Sequence, residues 1–203
     1  DDYRFNNSSG ELVRIDSSGR LLIGTTTEGA ANADNLTLAD SGHAGITIRS
    51  GTSSKGAVFF SDATTGSGEF EGVIEYNHSD NNMLFFTSGS EGMRLDSSGR
   101  LLIGTSSNRS SSALQLEGTT FATSRLSLTQ NSADANAGAT LKLSKSKGTS
   151  NGSFTAVSSG NRLGNVLFSG ADGSGDITAA TIEAFVDGTL GTNDMHGRLV
   201  FST

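Results

Sequence analysis

The sequence predicts an all-β protein made of short-strand repeat modules, and three observations lead to this fold class. Apolar residues alternate with polar ones at a period of two, clusters of Gly, Ser, Asn and Asp separate the runs, and one segment of the chain occurs twice. Alternation over a few residues is typical of half-buried strands, and closely spaced short strands are typical of a β-sandwich, a β-prism or a barrel-like stack. No segment has the apolar stripe of a helix over three turns.

A segment of thirteen residues occurs twice along the chain and is the strongest signal in the sequence. Residues 13–25 read VRIDSSGRLLIGT and residues 93–105 read MRLDSSGRLLIGT, so eleven of the thirteen positions are identical. Such internal similarity is typical of proteins built from stacked modules. Within a longer protein, we therefore expect the end of a preceding repeat in residues 1–25, a first complete module in residues 26–105, and a second, longer and divergent module in residues 106–203.

Each copy of the repeat contains a DSSG sequence that predicts a bulged hairpin. The carboxylate of Asp16 can accept the amide hydrogen of Ser18 and hold a type I turn, and Gly19 can adopt the left-handed conformation that closes it. Asp96 and Gly99 occupy the same positions in the second copy. Because a binding site is seldom duplicated together with its scaffold, we expect these hairpins to be structural.

Alternating apolar residues also predict strands between the hairpins. Two apolar residues flank one polar residue at Leu36–Leu38, Ile46–Ile48, Leu126–Leu128 and Leu141–Leu143. A longer alternation covers Ile182–Val186 and indicates a strand better than a helix. We expect strands of roughly three to seven residues, separated by turns rich in Gly and Ser.

The composition predicts a thin hydrophobic core for a single chain. Gly, Ser, Thr and Asn make up nearly half of the 203 residues, whereas Leu, Ile, Val and Phe make up about 22%, close to the level of about 20% that is typical of disorder. Either part of the chain is disordered, or identical chains complete one another's cores. The chain has no Cys, which excludes disulfides and thiolate metal sites, and no apolar run as long as a membrane span. The net charge of -7 argues against binding to nucleic acid.

The repeated unit at residues 93–105 resembles the short hairpin repeats of tailed-phage fibre and tail-spike proteins, especially those of marine and cyanobacterial phages. Residues 164–203 look like a second module of the same fibres. In that module the family often has proline at the two positions where Leu190 and His196 stand here. The resemblance covers most of the chain. It does not extend to the catalytic Ser/Lys pair of the family's chaperone domain, so we expect no self-cleavage in this segment.

The resemblance implies a parallel homotrimer in which three intertwined chains share one core along a fibre axis. Such an assembly covers strand edges and supplies the apolar residues that one chain lacks. The implied function is a structural segment of a trimeric tail fibre on the extracellular virion, which serves as shaft and host-attachment apparatus without enzymatic activity or cofactors. The implied partners are two identical chains, other virion tail proteins and host cell-surface polysaccharide or protein, with no nucleic acid and no membrane insertion. The alternatives are an architectural fibre on the capsid or baseplate and a polysaccharide-depolymerising tail spike.

Several short motifs raise catalytic or metal-binding alternatives, and for each the sequence favours a structural role. Gly148–Gly152 matches the G-x-S-x-G pattern of esterases, but it stands in a loop instead of between a strand and a helix. Gly173–Asp176 resembles one calcium-binding β-roll repeat, a site that requires tandem copies. The histidines His43, His78 and His196 lack metal-ligand spacing, so a metal site would need one His from each of three chains.

Carboxylates that could cleave glycosidic bonds are present, but the aromatic rings that line sugar-binding grooves are scarce. Such chemistry needs two carboxylates about 5–10 Å apart, and the chain has no Trp and only two Tyr. The cluster of Tyr76, Asn77 and His78 is the most binding-like, although a strand that ends in a turn at Ser79–Asn82 explains it better. The available carboxylates are Glu69, Glu71, Glu75, Asp172, Asp176 and Glu183.

Two segments differ between the modules and are where recognition would lie if this part of the fibre contacts a host. They are Ser61–Phe70 and Asn161–Thr192, both interpreted as surface loops that can vary without unfolding the scaffold. If this segment is shaft and not receptor tip, its exposed residues are expected to be individually dispensable for adsorption. The reason is that residues 3–25 and 83–105 are near copies, and a receptor site does not need an identical scaffold further along the fibre.

Overall fold

The computed structural model describes all 203 residues and shows an all-β chain without an α-helix. The chain divides into two compact units, residues 1–125 and 126–203. The first unit contains a four-stranded and a six-stranded sheet, and the second a three-stranded sheet. The module boundaries expected after residues 25 and 105 stay predictions. The strands are β1 (Tyr3–Asn7), β2 (Gly10–Ile15), β3 (Leu21–Ile23), β4 (Leu36–Leu38), β5 (Lys55–Phe60), β6 (Gly72–Asn77), β7 (Asn82–Thr87), β8 (Ser90–Leu95), β9 (Leu101–Ile103), β10 (Leu114–Leu116), β11 (Arg162–Ala171), β12 (Asp176–Val186) and β13 (Gly197–Ser202).

Both sheets of the first unit end in the same strand arrangement. In the four-stranded sheet, β1, β2 and β3 pair antiparallel and β4 adds parallel to β3. In the six-stranded sheet, β5 to β9 pair antiparallel in chain order and β10 adds parallel to β9. The registers correspond, because Tyr3 pairs with Ile15 as Met83 pairs with Leu95.

The DSSG turns make the predicted hydrogen bonds at both positions. Asp16 Oδ1 accepts the amide hydrogens of Ser18 and Arg20 at 2.9 and 3.0 Å, and the Gly19 amide donates to the Asp16 carbonyl at 2.9 Å. Arg20 Nε donates to the second carboxylate oxygen at 2.7 Å. The turn at Asp96 has the same four bonds, at 2.9, 3.0, 2.9 and 2.7 Å. The turn glycines have φ values of 80° and 75°, so the predicted turn is confirmed.

A long hairpin forms most of the second unit. β11 and β12 contain ten and eleven residues, more than the strand length expected from the sequence. In the turn between them, Asp172 Oδ1 accepts the amide hydrogens of Ser174 and Gly175 at 2.8 and 2.9 Å. The interpretation of Asn161–Thr192 as a surface loop is therefore wrong. Apolar residues alternate on both sides of the turn, so the two arms pair and extend as one ladder.

Three of the predicted strands do not form. Leu36–Leu38 and Ile182–Val186 lie in strands as expected, whereas Ile46–Ile48, Leu126–Leu128 and Leu141–Leu143 do not. No backbone hydrogen bond joins these three segments to a strand, and their apolar side chains are 49–70% exposed. Alternation decides on which side the side chains lie, but a strand also needs an edge with which to pair. Within one chain these segments form no such pairing, although the outer strands of all three sheets each leave an edge free.

Little of the chain is buried. In the first unit, contacts between strands follow the hydrogen-bonded order, so its two sheets are single layers and are not stacked as a sandwich. A short 3₁₀ helix over Gly66–Phe70 packs beside β5. The thin core expected from the composition is observed. Its buried apolar residues are Leu22, Val73, Leu84, Leu102, Val157 and Val186.

The carboxylates in the hairpin turns predict that part of the stability is lost in acid. Hydrogen bonds from the backbone, and in each DSSG turn from the following arginine side chain, hold the pKa of Asp16, Asp96 and Asp172 below the ordinary value. A carboxyl with a lowered folded pKa stabilises the fold above its unfolded pKa, and this stabilisation is lost as the pH falls from about 4 through the folded value. Asp96→Asn removes the charge but keeps an acceptor oxygen. As the pH is lowered below about 4, the guanidinium concentration at half-unfolding should therefore fall less steeply for Asp96→Asn than for the parent chain.

The matched control for this acid titration is Asp62→Asn. The Asp62 carboxylate accepts no hydrogen bond in the fold, so its removal should leave the acid slope of the parent unchanged. If Asp96→Asn and the parent lost stability equally between neutral pH and about pH 2, the turn carboxylates would not contribute to acid sensitivity.

Candidate interaction surfaces

One face of the four-stranded sheet consists mainly of apolar side chains. Residues paired across neighbouring strands point to the same face, and here Phe5 pairs with Val13 and Ile15 with Leu21. Nothing in the sheet covers them, and Phe5 is 63% exposed. We name this surface the first apolar face; it consists of Tyr3, Phe5, Val13, Ile15, Leu21, Ile23, Leu36 and Leu38.

The six-stranded and three-stranded sheets carry comparable faces. Phe60 is 58% exposed in the former and Phe201 is 71% exposed in the latter. The second apolar face consists of Val58, Phe60, Ile74, Tyr76, Met83, Phe85, Met93, Leu95, Leu101, Ile103, Leu114 and Leu116. The third apolar face consists of Val166, Phe168, Ile182, Ala184, Leu199 and Phe201.

The opposite faces of the two sheets in the first unit carry charged pairs. On the four-stranded sheet Arg14 donates two hydrogen bonds to the Glu11 carboxylate, and Arg94 and Glu91 repeat this pair on the six-stranded sheet. Burying ionised groups is costly, whereas leaving large apolar patches in water is unusual for a monomer. The charged faces therefore suit solvent, and the apolar faces suit a protein partner.

The exposed area of the chain is larger than that of a folded monomer. The chain exposes 15103 Å² of solvent-accessible surface. Two separate compact domains of the lengths of the two units would together expose about 10,700 Å². The excess of about 4,400 Å² per chain matches the roughly 2,000–5,000 Å² that an obligate subunit interface buries. The apolar faces are the part of this exposed surface that we expect such an interface to bury.

The esterase-like and metal-like motifs lie in loops and turns. Gly148–Gly152 stands in a loop that neither a strand precedes nor a helix follows, and Gly173–Asp176 belongs to the β11–β12 turn. His43 and His196 are exposed, and His196 Nε2 lies 3.2 Å from an Asp194 carboxylate oxygen. No three His, Asp or Glu side chains of one chain come close enough to hold a metal ion.

The candidate carboxylates have different roles in the fold. Lys55 Nζ lies 2.9 Å from Glu75 Oε1, Arg162 donates to Glu183 at 2.8 Å, and Asp172 holds the β11–β12 turn. All three turn bonds at Asp172 are accepted by one carboxylate oxygen, Oδ1, which gives this side chain a structural role in the turn. The others lie at exposed or half-buried positions: Glu69 and Asp176 are exposed, and Glu71 is half-buried.

The cluster of Tyr76, Asn77 and His78 holds the β6–β7 turn together. Tyr76 Oη donates to Asn81 Oδ1 at 3.3 Å, and Asn77 Oδ1 accepts the Ser79 amide hydrogen at 3.0 Å. The rings of Tyr76 and His78 meet edge to face with centroids 4.9 Å apart. These contacts bear out the structural interpretation of the cluster.

A group of phenylalanines on the charged face of the six-stranded sheet was not predicted. Phe59, Phe70 and Phe86 lie together there, around Val73. A signal for it exists in the sequence, because the adjacent pairs Phe59–Phe60 and Phe85–Phe86 interrupt the alternation. Two consecutive aromatic residues in a strand place one ring on each face of the sheet.

Comparisons with known proteins identify no relative. No family model matches the chain, and no curated protein matches it. None of the helical segments has the length and apolar character needed to cross a membrane.

Proposed function

We propose that this chain is a non-enzymatic structural segment of a homotrimeric phage tail fibre, which serves as shaft and host-attachment apparatus on the virion. The observation that carries the proposal is the presence of three single-layer sheets, each with an apolar face that stays largely exposed. A shaft needs long-range stiffness and no active site, and repeated hairpin sheets that share a core between chains supply it.

The partners that best fit the three apolar faces are identical copies of the chain. All three sheets leave much of an apolar face exposed, so the need for a partner extends along the chain and is not confined to one patch. The segments Ile46–Ile48, Leu126–Leu128 and Leu141–Leu143 add backbone that lies outside any strand and carries exposed apolar side chains. Neighbouring copies could pair this backbone and bury these side chains. The number of three copies rests on the resemblance of the DSSG units to fibre repeats.

The assembly state is the direct test of the proposal. Sedimentation equilibrium of the folded chain at micromolar concentration should give three times the chain mass of 20.8 kDa, because the apolar faces cannot stay exposed. In SDS gel electrophoresis, an unboiled sample should also migrate as a trimer. A stable, folded monomer under these conditions would contradict both the trimer and the shaft function.

A further inference from the structure

An aromatic pocket opens on the charged face of the six-stranded sheet. Val73 forms its floor, and Phe59 and Phe86 flank Val73 on the two neighbouring strands. Phe70, from the short 3₁₀ helix, closes one end, where its ring approaches Gly89. The cavity measures about 190 Å³.

Two charged side chains line the other end of the aromatic pocket. The Glu75 side chain is only 10% exposed, and Lys55 Nζ lies 2.9 Å from its Oε1 atom. The Lys55 ammonium is the ion-pair partner of this buried oxygen, which accepts no hydrogen bond from any other group. A carboxylate oxygen can accept more than one hydrogen bond, so a ligand hydroxyl would supply a second donor beside the ammonium.

The aromatic pocket stays accessible in the proposed trimer. It lies on the face opposite the second apolar face, together with Lys55, Glu75 and Arg94. Phe59 is 56% exposed and Phe70 is 43% exposed, although neither belongs to a surface that the trimer would cover. Their exposure on a charged face therefore calls for a different occupant.

We propose that the aromatic pocket binds one hexopyranose ring of a glycan. Phenylalanine rings suit the apolar C–H face of a sugar, while Glu75 accepts from its hydroxyls and Lys55 donates to them. The Glu–Lys pair is neutral as a whole, so it favours a neutral polyol over an organic cation. The volume is below the roughly 300–1,000 Å³ of sites for drug-sized ligands, which limits the occupant to one ring. The inference deepens the proposed function, on which it rests for the source of the glycan at a host surface.

Saturation-transfer difference NMR on the full chain tests this site. The probes are the methyl glycosides of glucose, galactose and mannose, and irradiation of the aromatic protons should transfer saturation to ring C–H protons of at least one of them. Phe70→Ser removes one wall at a half-exposed position and should lower the signal about tenfold or more. Phe154→Ser is the matched control, because Phe154 is 98% exposed and lies outside the aromatic pocket.

The outcomes separate this inference from the fibre proposal. Absence of transfer to every glycoside, or equal transfer in Phe70→Ser and the parent, would overturn the glycan site. Binding of tetramethylammonium instead of the glycosides, with the same dependence on Phe70, would assign the pocket to cations and overturn it as well. Sedimentation of the same samples reports on the fibre independently. A trimer without sugar binding removes only the glycan site, and a sugar-binding monomer removes only the trimeric shaft.

Discussion

The double variant Phe5→Asp/Phe201→Asp is expected to lose the trimer that we propose for the parent chain. The two side chains are 63% and 71% exposed in the single chain, so their replacement hardly alters its internal packing. In the assembly, each copy would have to bury two unpaired carboxylates, at several kcal/mol for each ion. The dissociation constant of the trimer should rise by about a thousandfold or more, which sedimentation velocity at micromolar concentration detects as loss of the trimer peak.

Neighbouring residues provide the control for this double variant. Asn6→Asp/Ser202→Asp adds the same charge one position along each strand, where the side chains point to the opposite faces. This control should remain trimeric. If the Phe5/Phe201 variant also remained trimeric, the apolar faces would not be the subunit interface. If both variants dissociated, the added negative charge itself would explain the loss of the trimer, and its position on a particular face would not.

Gly104→Ala is expected to lower the free energy of unfolding by about 3 kcal/mol or more. Gly104 has a φ of 74°, and an added Cβ would lie 2.2 Å from the Glu117 carbonyl oxygen. The Glu117 amide donates to the Ile103 carbonyl at 3.0 Å, just beyond the β9–β10 pairing. The clash can be relieved only if β10 moves away from β9. Guanidinium titration at matched protein concentration measures the loss.

Gly99→Ala separates backbone strain from this clash. Gly99 has nearly the same φ, 75°, but no atom lies within 4 Å of an added Cβ. Its substitution should therefore cost only the strain of a left-handed residue, about 1–2 kcal/mol. Equal losses for Gly99→Ala and Gly104→Ala would show that β10 adjusts without cost. Gly24 repeats the close approach in the first copy, with an added Cβ 2.0 Å from the Ala39 carbonyl oxygen.

Of the two glycines Gly99 and Gly104, only the first has a role that the sequence predicts. Gly99 was predicted to need a left-handed conformation because its role depends on Asp96, three residues away. Gly104 is just as invariant between the two copies, but its requirement comes from Glu117, which reaches it through the return of β10. A local pattern contains no information about that return.

The candidate sites also divide into contacts between residues close in sequence, which could be predicted, and contacts between distant residues, which could not. The sequence already indicated that Tyr76 and its neighbours stand where a strand runs into a turn, and the structure adds the bonds by which they hold that turn. It did not bring Phe70 together with Phe59, Phe86 and Glu75, because strand register and the short 3₁₀ helix decide which of the dispersed side chains meet.

By itself, the sequence determined the all-β class, both DSSG turns and the alternation that gives each sheet an apolar face. These properties depend on hydrogen bonds within five residues and on the two-residue period of a strand, so they are present in any short window. Only the tertiary structure decided which alternating segments become strands. Leu36–Leu38 pairs with β3, whereas Ile46–Ile48 has the same pattern and forms no ladder, although the outer edge of β5 is free. The physical reason is that a strand is stabilised by pairing with another strand, and the way the chain folds back decides which segments pair; the alternation of one segment does not contain that information.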